Sequence, residues 1–121
     1  MEVEITNTND YSLWIDSYDE GVLTLNKTSY SKPIRVSNQQ IIPINKEFSQ
    51  LTLEDFISDS NQSEIVLLGT GKLCLFLPPQ LQVMLFQRGI PVEVMNTSAA
   101  AHTFNLLIAD KRKVSAWLWL K

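Results

Sequence analysis

An α/β domain with a partly parallel sheet is the fold class that this sequence predicts, and two observations carry the prediction. Short apolar runs separated by turn residues fill the first half of the chain, as in a set of short strands. The second half alternates apolar runs of strand length with stretches of helical periodicity, which is typical of βαβ units with parallel strands. A chain of 121 residues is long enough for a core of its own, so we expect one domain over residues 1–121.

Three short strands are predicted in the first half. Val22–Leu25 follows a turn that ends in glycine, Ile34–Val36 follows a proline, and Ile41–Pro43 ends in a proline that suggests a sheet edge. Residues 1–12 contain a run of turn-forming residues, and we expect this end of the chain to be loose.

A first helix is predicted after these strands. Thr52 is a suitable N-cap, and Leu53, Phe56 and Ile57 have the i, i+3, i+4 spacing of a helix face. The polar residues 58–63 are expected to form a loop.

The second half predicts a strand, a helix, a strand, a helix and a final strand. The apolar run at 64–68 is the first strand, and Pro78 and Pro79 open a helix that Gly89 ends. Leu81, Met84 and Leu85 are expected to form the core face of that helix. The remaining elements are expected at 90–94, from Asn96 or Thr97 to about Asp110, and at 114–120.

Charge and cysteine content exclude several classes of protein. The net charge is −3 and the one basic run, Lys111 to Lys113, is short, so we expect no nucleic-acid partner. The acidic beginning of the sequence and the lack of a long apolar stretch predict a cytoplasmic protein without direct membrane insertion. Cys74 is the one cysteine, and its position within an apolar run predicts a buried, inert thiol.

Motifs for cofactors and metals are incomplete. Gly69–Lys72 resembles part of a phosphate-binding loop, but Val66 stands where the first glycine is required and Leu73 where Ser or Thr is required. His102 is the only histidine and has no converging ligand set, and its expected place is a partly exposed helix surface. The sequence therefore predicts no cofactor, no metal and no catalytic residues.

Six segments in the second half resemble a known family. They read, in order, LGTG (68–71), LPP (77–79), GIPVEVM (89–95), TSAA (97–100), TFNLL (103–107) and RKV (112–114). The chain is similar to the uncharacterised family called domain of unknown function four-nine-eight, which includes NADH dehydrogenase assembly factor three and an adipogenesis-associated domain protein. The resemblance implies a three-layer α/β fold, with a central mixed five-stranded sheet, flanking helices and an extra antiparallel β element from the N-terminal half.

Two functions of different classes follow as hypotheses. The first is a non-enzymatic protein-interaction module, like an assembly factor for a respiratory or membrane complex, with Trp117 and Trp119 as its interface. These two side chains project from the same face of the last strand, which is either core or a binding patch. An exposed sheet edge also makes a homo-oligomer plausible.

The second hypothesis is a small-molecule or anion site, with or without enzymatic activity, in the crevice at the carboxyl ends of the parallel strands. Its residues would be Gly69, Thr70, Gly71, Thr97, Thr103 and Asn105. The structural alternative is that these residues cap a helix and close a tight turn.

Overall fold

The protein is described here from a computed structural model that covers residues 13–60 and 62–121. Residues 1–12, which the sequence predicts to be loose, lie outside the described residues. Twelve elements follow one another: β1 (Ile15–Asp19), β2 (Val22–Leu25), β3 (Thr28–Tyr30), β4 (Ile34–Val36), β5 (Ile41–Pro43), a 3-10 helix (Phe48–Gln50), α1 (Leu53–Ser60), β6 (Ile65–Thr70), α2 (Pro79–Gln87), β7 (Val92–Met95), α3 (Thr97–Ala109) and β8 (Val114–Trp119).

The strands form two sheets. The central sheet has the order β5-β4-β8-β6-β7, in which β6 is parallel to both β7 and β8 and β4 is antiparallel to both β5 and β8. The small sheet is the antiparallel meander β1-β2-β3. Its two-residue turns have positive φ at both central residues, Glu20 with Gly21 and Asn26 with Lys27, as hairpin turns of this length require.

Two apolar clusters make the central sheet the middle of three layers. One cluster joins α3 and the small sheet to one face, through side chains such as Leu67, Ala116 and Phe104. The other joins α1 and α2 to the opposite face, through side chains such as Val66 and Phe56. Because both faces are covered, β6 and β8 carry apolar side chains on both sides, and the predicted three-layer mixed fold is confirmed.

The element boundaries differ from the sequence prediction in places. Helix α1 continues to Ser60, where a loop was expected from residue 58, and β6 continues through Gly69 to Thr70. Met84 was expected in the core but is 39% exposed, whereas Leu81 and Leu85 are buried. The prediction of a buried Cys74 is wrong, because residues 73–76 lie on the surface, in the connection between β6 and α2, and the thiol is exposed.

A buried polar cluster fastens α1 to the central sheet. The Asp59 carboxylate, 8% exposed, accepts hydrogen bonds from Arg35 Nη1 at 3.0 Å, Ser115 Oγ at 3.1 Å and Trp117 Nε1 at 2.5 Å. The Arg35 guanidinium also lies 5.1 Å from the centre of the Trp117 ring, a cation–π distance. This cluster joins residues from α1, β4 and β8, and sequence spacing gives no indication of it.

We predict that Asp59→Ala lowers the free energy of unfolding by about 3 kcal/mol, because removal of one partner leaves a largely buried guanidinium and an indole N–H without their acceptor. Urea unfolding followed by tryptophan fluorescence measures the change. Asp110→Ala, at an exposed carboxylate, is the matched control and should change stability by less than about 0.5 kcal/mol. Equal stability of the two variants would contradict the role assigned to the cluster.

Candidate functional site: a filled crevice and an exposed apolar surface

The crevice predicted at the strand ends brings Gly71 and Thr97 into direct contact. The Thr97 hydroxyl accepts a hydrogen bond from the Gly71 N–H at 2.7 Å and donates one to the Trp119 carbonyl at 2.5 Å. The Thr97 N–H donates to the Gly71 carbonyl at 2.9 Å. One fully buried threonine therefore connects the end of β6, the start of α3 and the end of β8.

The glycines at this position allow the backbone to approach closely. A Cβ atom at Gly69 would lie 3.0 Å from Thr97 Cα, from the Ala100 methyl group and from a Leu118 methyl group. At Gly71, where φ is +84°, a Cβ atom would lie 2.3 Å from the Lys121 carbonyl oxygen. The space between the two strand-end segments is thus filled by the chain itself.

The other three predicted site residues also make internal contacts. Thr70 Oγ1 donates to the Leu73 carbonyl and accepts from the Leu75 N–H at 3.1 Å, which holds the chain where it leaves β6. Thr103 Oγ1 lies 3.7 Å from the Met95 sulfur.

Asn105 is a bridge between α3 and the small sheet. Its side chain accepts from the Ile15 N–H at 3.0 Å and donates to the Ile15 carbonyl at 2.8 Å. His102, also on α3, is exposed.

Few backbone N–H groups at the start of α3 are free to bind an anion. Asn96 Oδ1 accepts from the Ala99 N–H at 2.8 Å, and the Thr97 N–H is bound to Gly71. Among the described residues there is no group of three or more His, Cys, Asp or Glu side chains that could hold a metal ion. The geometry therefore supports the structural alternative, in which these residues cap α3 and close a turn.

The interface expected at Trp117 and Trp119 needs correction. Trp117 is 6% and Trp119 7% exposed, and their rings stack at a centroid distance of 6.2 Å beneath α1 and the 3-10 helix. The two indole N–H groups donate to Asp59 and to the Lys46 carbonyl. These side chains belong to the core, since almost none of their surface is free to contact a partner.

A small cleft opens beside these tryptophans, and its charges are paired. Arg35 is bound to Asp59, and Lys46 Nζ donates to Asp55 at 2.9 Å. Burial opposes ionisation of Asp55, but the hydrogen bonds from Thr52 and Lys46 outweigh it and hold the pKa of Asp55 below its ordinary value. Asp55 also receives the Thr52 N–H at 2.8 Å, as in a capping box.

Exposed apolar side chains concentrate in one stretch of the chain. Nine large apolar residues are exposed among the described residues, and six of them lie between residues 73 and 86. Phe86 is 86% and Phe76 81% exposed, which is unusual for phenylalanine in a folded domain. We call the six residues the exposed apolar segment: Leu73, Leu75, Phe76, Val83, Met84 and Phe86.

The exposed apolar segment borders a groove beside the edge of the central sheet. The groove has a volume of about 480 Å³, and its lining includes Phe76, Leu85, Phe86 and the strand residues Val92 and Val94. Strand β7 is the last strand on this side, because it pairs with β6 alone among the described residues. An apolar groove and a free strand edge therefore lie side by side.

Sequence reasoning missed this surface for a physical reason. The run from Leu73 to Leu77 has the composition of a buried strand, but the Thr70 hydroxyl is bonded to the backbone of Leu73 and Leu75, two prolines follow, and the run joins neither sheet. The sequence of α2 does contain an indication of this surface. Val83 and Phe86 lie outside the helix stripe formed by the buried Leu81 and Leu85, so they could have been predicted to be exposed.

Comparison with known proteins places this fold in a family. A family model described as "Protein of unknown function (DUF498/DUF598)" matches residues 15–119. The chain belongs to this family. Among its relatives is the human NADH dehydrogenase (ubiquinone) 1 alpha subcomplex assembly factor 3, which is 32% identical over 111 residues, or 88% of this chain and 60% of the relative. The chain thus spans about three-fifths of the length of the assembly factors that it matches.

Two solved structures are similar over most of their length. A Bordetella parapertussis protein matches with a TM-score of 0.80 and 25% identity, over 91% of this chain and 97% of its own. A protein described as an outer membrane protein from Bartonella henselae matches with a TM-score of 0.74 and 35% identity, over 88% of this chain and 92% of its own. In the described part of the present chain, no helix is both long and apolar enough to cross a bilayer.

We predict that Thr97→Val lowers the free energy of unfolding by about 1–3 kcal/mol, since it keeps the shape of the side chain but leaves the buried Gly71 N–H and Trp119 carbonyl without a partner.

Gly71→Ala should lower the free energy of unfolding more than Gly89→Ala does. Both glycines have positive φ, but only at Gly71 does an added Cβ meet the backbone. Thermal unfolding of the three variants checks the order, and similar costs for the two alanine variants would contradict the close-approach argument.

Proposed function

We propose that this chain is a non-enzymatic protein-interaction module of the assembly-factor type, which binds a partner protein through the exposed apolar segment and the groove beside β7. The observation that carries the proposal is the exposure of Phe76 and Phe86 on one surface next to a free strand edge. The named assembly factors among its relatives support the same class of function.

The energetic argument is that this surface is costly to leave in water. Burial of a phenylalanine side chain contributes roughly 1.5–3 kcal/mol, and two of them here contact mainly solvent. Buried aromatic side chains are also the commonest anchors of protein interfaces. A partner that covers Phe76 and Phe86 would gain most of this free energy on binding.

The segment is held in place rather than left free to collapse onto the core. Thr70 fixes the chain at Leu73 and Leu75, and the Gln82 side chain donates to the Leu77 carbonyl at 2.7 Å. Leu81 and Leu85 anchor α2 against the central sheet. The surface is therefore pre-formed, which lowers the entropic cost of binding a partner.

A small-molecule role has less support. The predicted crevice at Gly69, Gly71 and Thr97 is filled by internal hydrogen bonds and close packing, and the groove beside β7 is lined mainly by apolar side chains. The lining includes two polar residues, Gln82 and Glu93, and the Gln82 amide is already bonded to the Leu77 carbonyl, whereas a small-ligand site needs several polar groups that converge on one point. A cytoplasmic location and a homo-oligomer stay predictions from the sequence.

We predict that the double variant Phe76→Ser, Phe86→Ser loses its protein partner without loss of folding stability. Wild type and variant would be used as baits after mild crosslinking, and any captured protein would be identified, purified and titrated against both. The expected result is a defined complex with wild type and at least tenfold weaker binding by the variant, because two hot-spot side chains are removed.

Leu106→Ser is the matched control, because Leu106 is a 57% exposed apolar residue on α3, away from the groove. It should bind the partner as wild type does. Equal binding by wild type and the double variant would contradict the proposal. So would binding to vesicles of phosphatidylethanolamine and phosphatidylglycerol that depends on the two phenylalanines, in the absence of a protein complex.

A further inference from the structure

The structure also points to how the partner binds. We infer that the partner adds an extended strand to the outer edge of β7 and carries Lys or Arg opposite Glu93, with apolar residues on both sides of that cation. This inference rests on the proposed function and specifies the partner's chemistry.

The hydrogen-bonding pattern of β7 leaves backbone groups directed outward. Val66 N donates to Pro91 O at 3.0 Å, and Val66 is in register with Val92. In a parallel pair of strands, only every second residue of each strand bonds to its neighbour. Since Pro91 bonds to β6, the odd-numbered residues of β7 face β6, and Val92 and Val94 direct their N–H and C=O groups away from it. Within residues 13–60 and 62–121, the one hydrogen bond to these groups is a weak one, from the Cys74 thiol to the Val94 carbonyl at 3.8 Å. Two residues are thus ready to pair with another strand.

The side chains of β7 alternate between the two faces of the sheet. Val92 and Val94 pack with the α2 cluster, on the face that carries the groove, whereas Met95 packs with the α3 cluster. Glu93 therefore projects from the α3 face, where it is exposed. An added strand would place alternate side chains in the groove beside Phe76 and Phe86, and the residue between them next to Glu93.

A second copy of this chain is a poor occupant of the edge. The Ile90 N–H already donates to Leu85, and Asn96 caps α3, so the outward groups available are those of Val92 and Val94. Two copies that pair antiparallel use both of these residues only when Val92 of each copy lies opposite Val94 of the other, so that the two-fold axis passes beside Glu93. That register puts the two Glu93 carboxylates directly opposite each other, and like charges in this position are destabilising.

Charge complementarity therefore favours a different protein. The same carboxylate that opposes self-pairing attracts a cation at the matching position of a foreign strand. The flanking residues must be apolar, because they enter the groove beside the two phenylalanines. The expected recognition element is thus an extended segment with the pattern apolar–cationic–apolar.

The test uses three synthetic peptides with a fluorescent label and a soluble Gly-Ser tail. The first is Thr-Ile-Thr-Val-Lys-Val-Thr-Ile-Thr, the second has Glu in place of Lys, and the third is the first with N-methyl groups on Lys and on both valines. Fluorescence anisotropy against the wild-type protein should show saturable binding of the Lys peptide below about 1 mM. Binding of the Glu peptide should be about fivefold or more weaker. The N-methylated peptide should not bind, since its three central residues, which face Val92 to Val94, cannot donate main-chain hydrogen bonds.

The charge-reversal variant Glu93→Lys provides the decisive comparison. This variant should bind the Glu peptide more tightly than the Lys peptide. The control is Lys113→Glu, at an exposed residue outside β7, which should bind the Lys peptide more tightly, as wild type does. The inference is overturned if the Lys peptide does not bind, if Glu93→Lys leaves the order unchanged, or if the N-methylated peptide binds as well. A partner that needs Phe76 and Phe86 but is indifferent to Glu93→Lys would leave the proposed function intact and reject strand addition alone.

Discussion

The architecture depends on one buried hydroxyl group. Thr97 Oγ1 links the Gly71 N–H to the Trp119 carbonyl, so the ends of two adjacent parallel strands and the first turn of α3 share a single fixed point. A buried hydrogen bond of this kind adds only modestly to the free energy of unfolding, but leaving its donor and acceptor unpaired destabilises the protein by more. The glycines at 69 and 71 are part of the same constraint, because any side chain there would push α3 or the C-terminal residue away.

This contact also determines where function can lie. In open α/β sheets the carboxyl ends of the strands usually form the ligand crevice, and here the chain fills that position with its own backbone and with Thr97. The free surface is instead at the edge of the sheet, where the connection from β6 to α2 carries two exposed phenylalanines past β7. This position is the basis for the proposal that the surface holds another chain, and assembly factors are among the relatives of this protein.

Local sequence predicts the parts of this structure that depend on local chemistry. Three local signals each place an element correctly, because their effect acts within a few residues: the turn that ends in Gly21, the N-cap at Thr52 and the two prolines at the start of α2. Contacts between distant residues were not predictable in the same way: Asp59 meets residues 24, 56 and 58 positions away, and Thr97 meets Gly71 across 26. The exposure of Cys74 was not predicted, and the choice between core and binding patch for Trp117 and Trp119 was left open, for one reason. Apolar composition does not say which apolar runs the sheet covers.

The most direct test of the account is site-specific photocrosslinking from the groove. Benzoylphenylalanine would replace Phe86 in one protein and Leu106 in another, and both would be irradiated in cells of the native organism. The account predicts a crosslink from position 86 to one defined protein, within an extended apolar segment that contains Lys or Arg, and no such product from position 106. Crosslinks of equal yield from both positions, or from position 106 alone, would contradict the claim that this surface is the binding site.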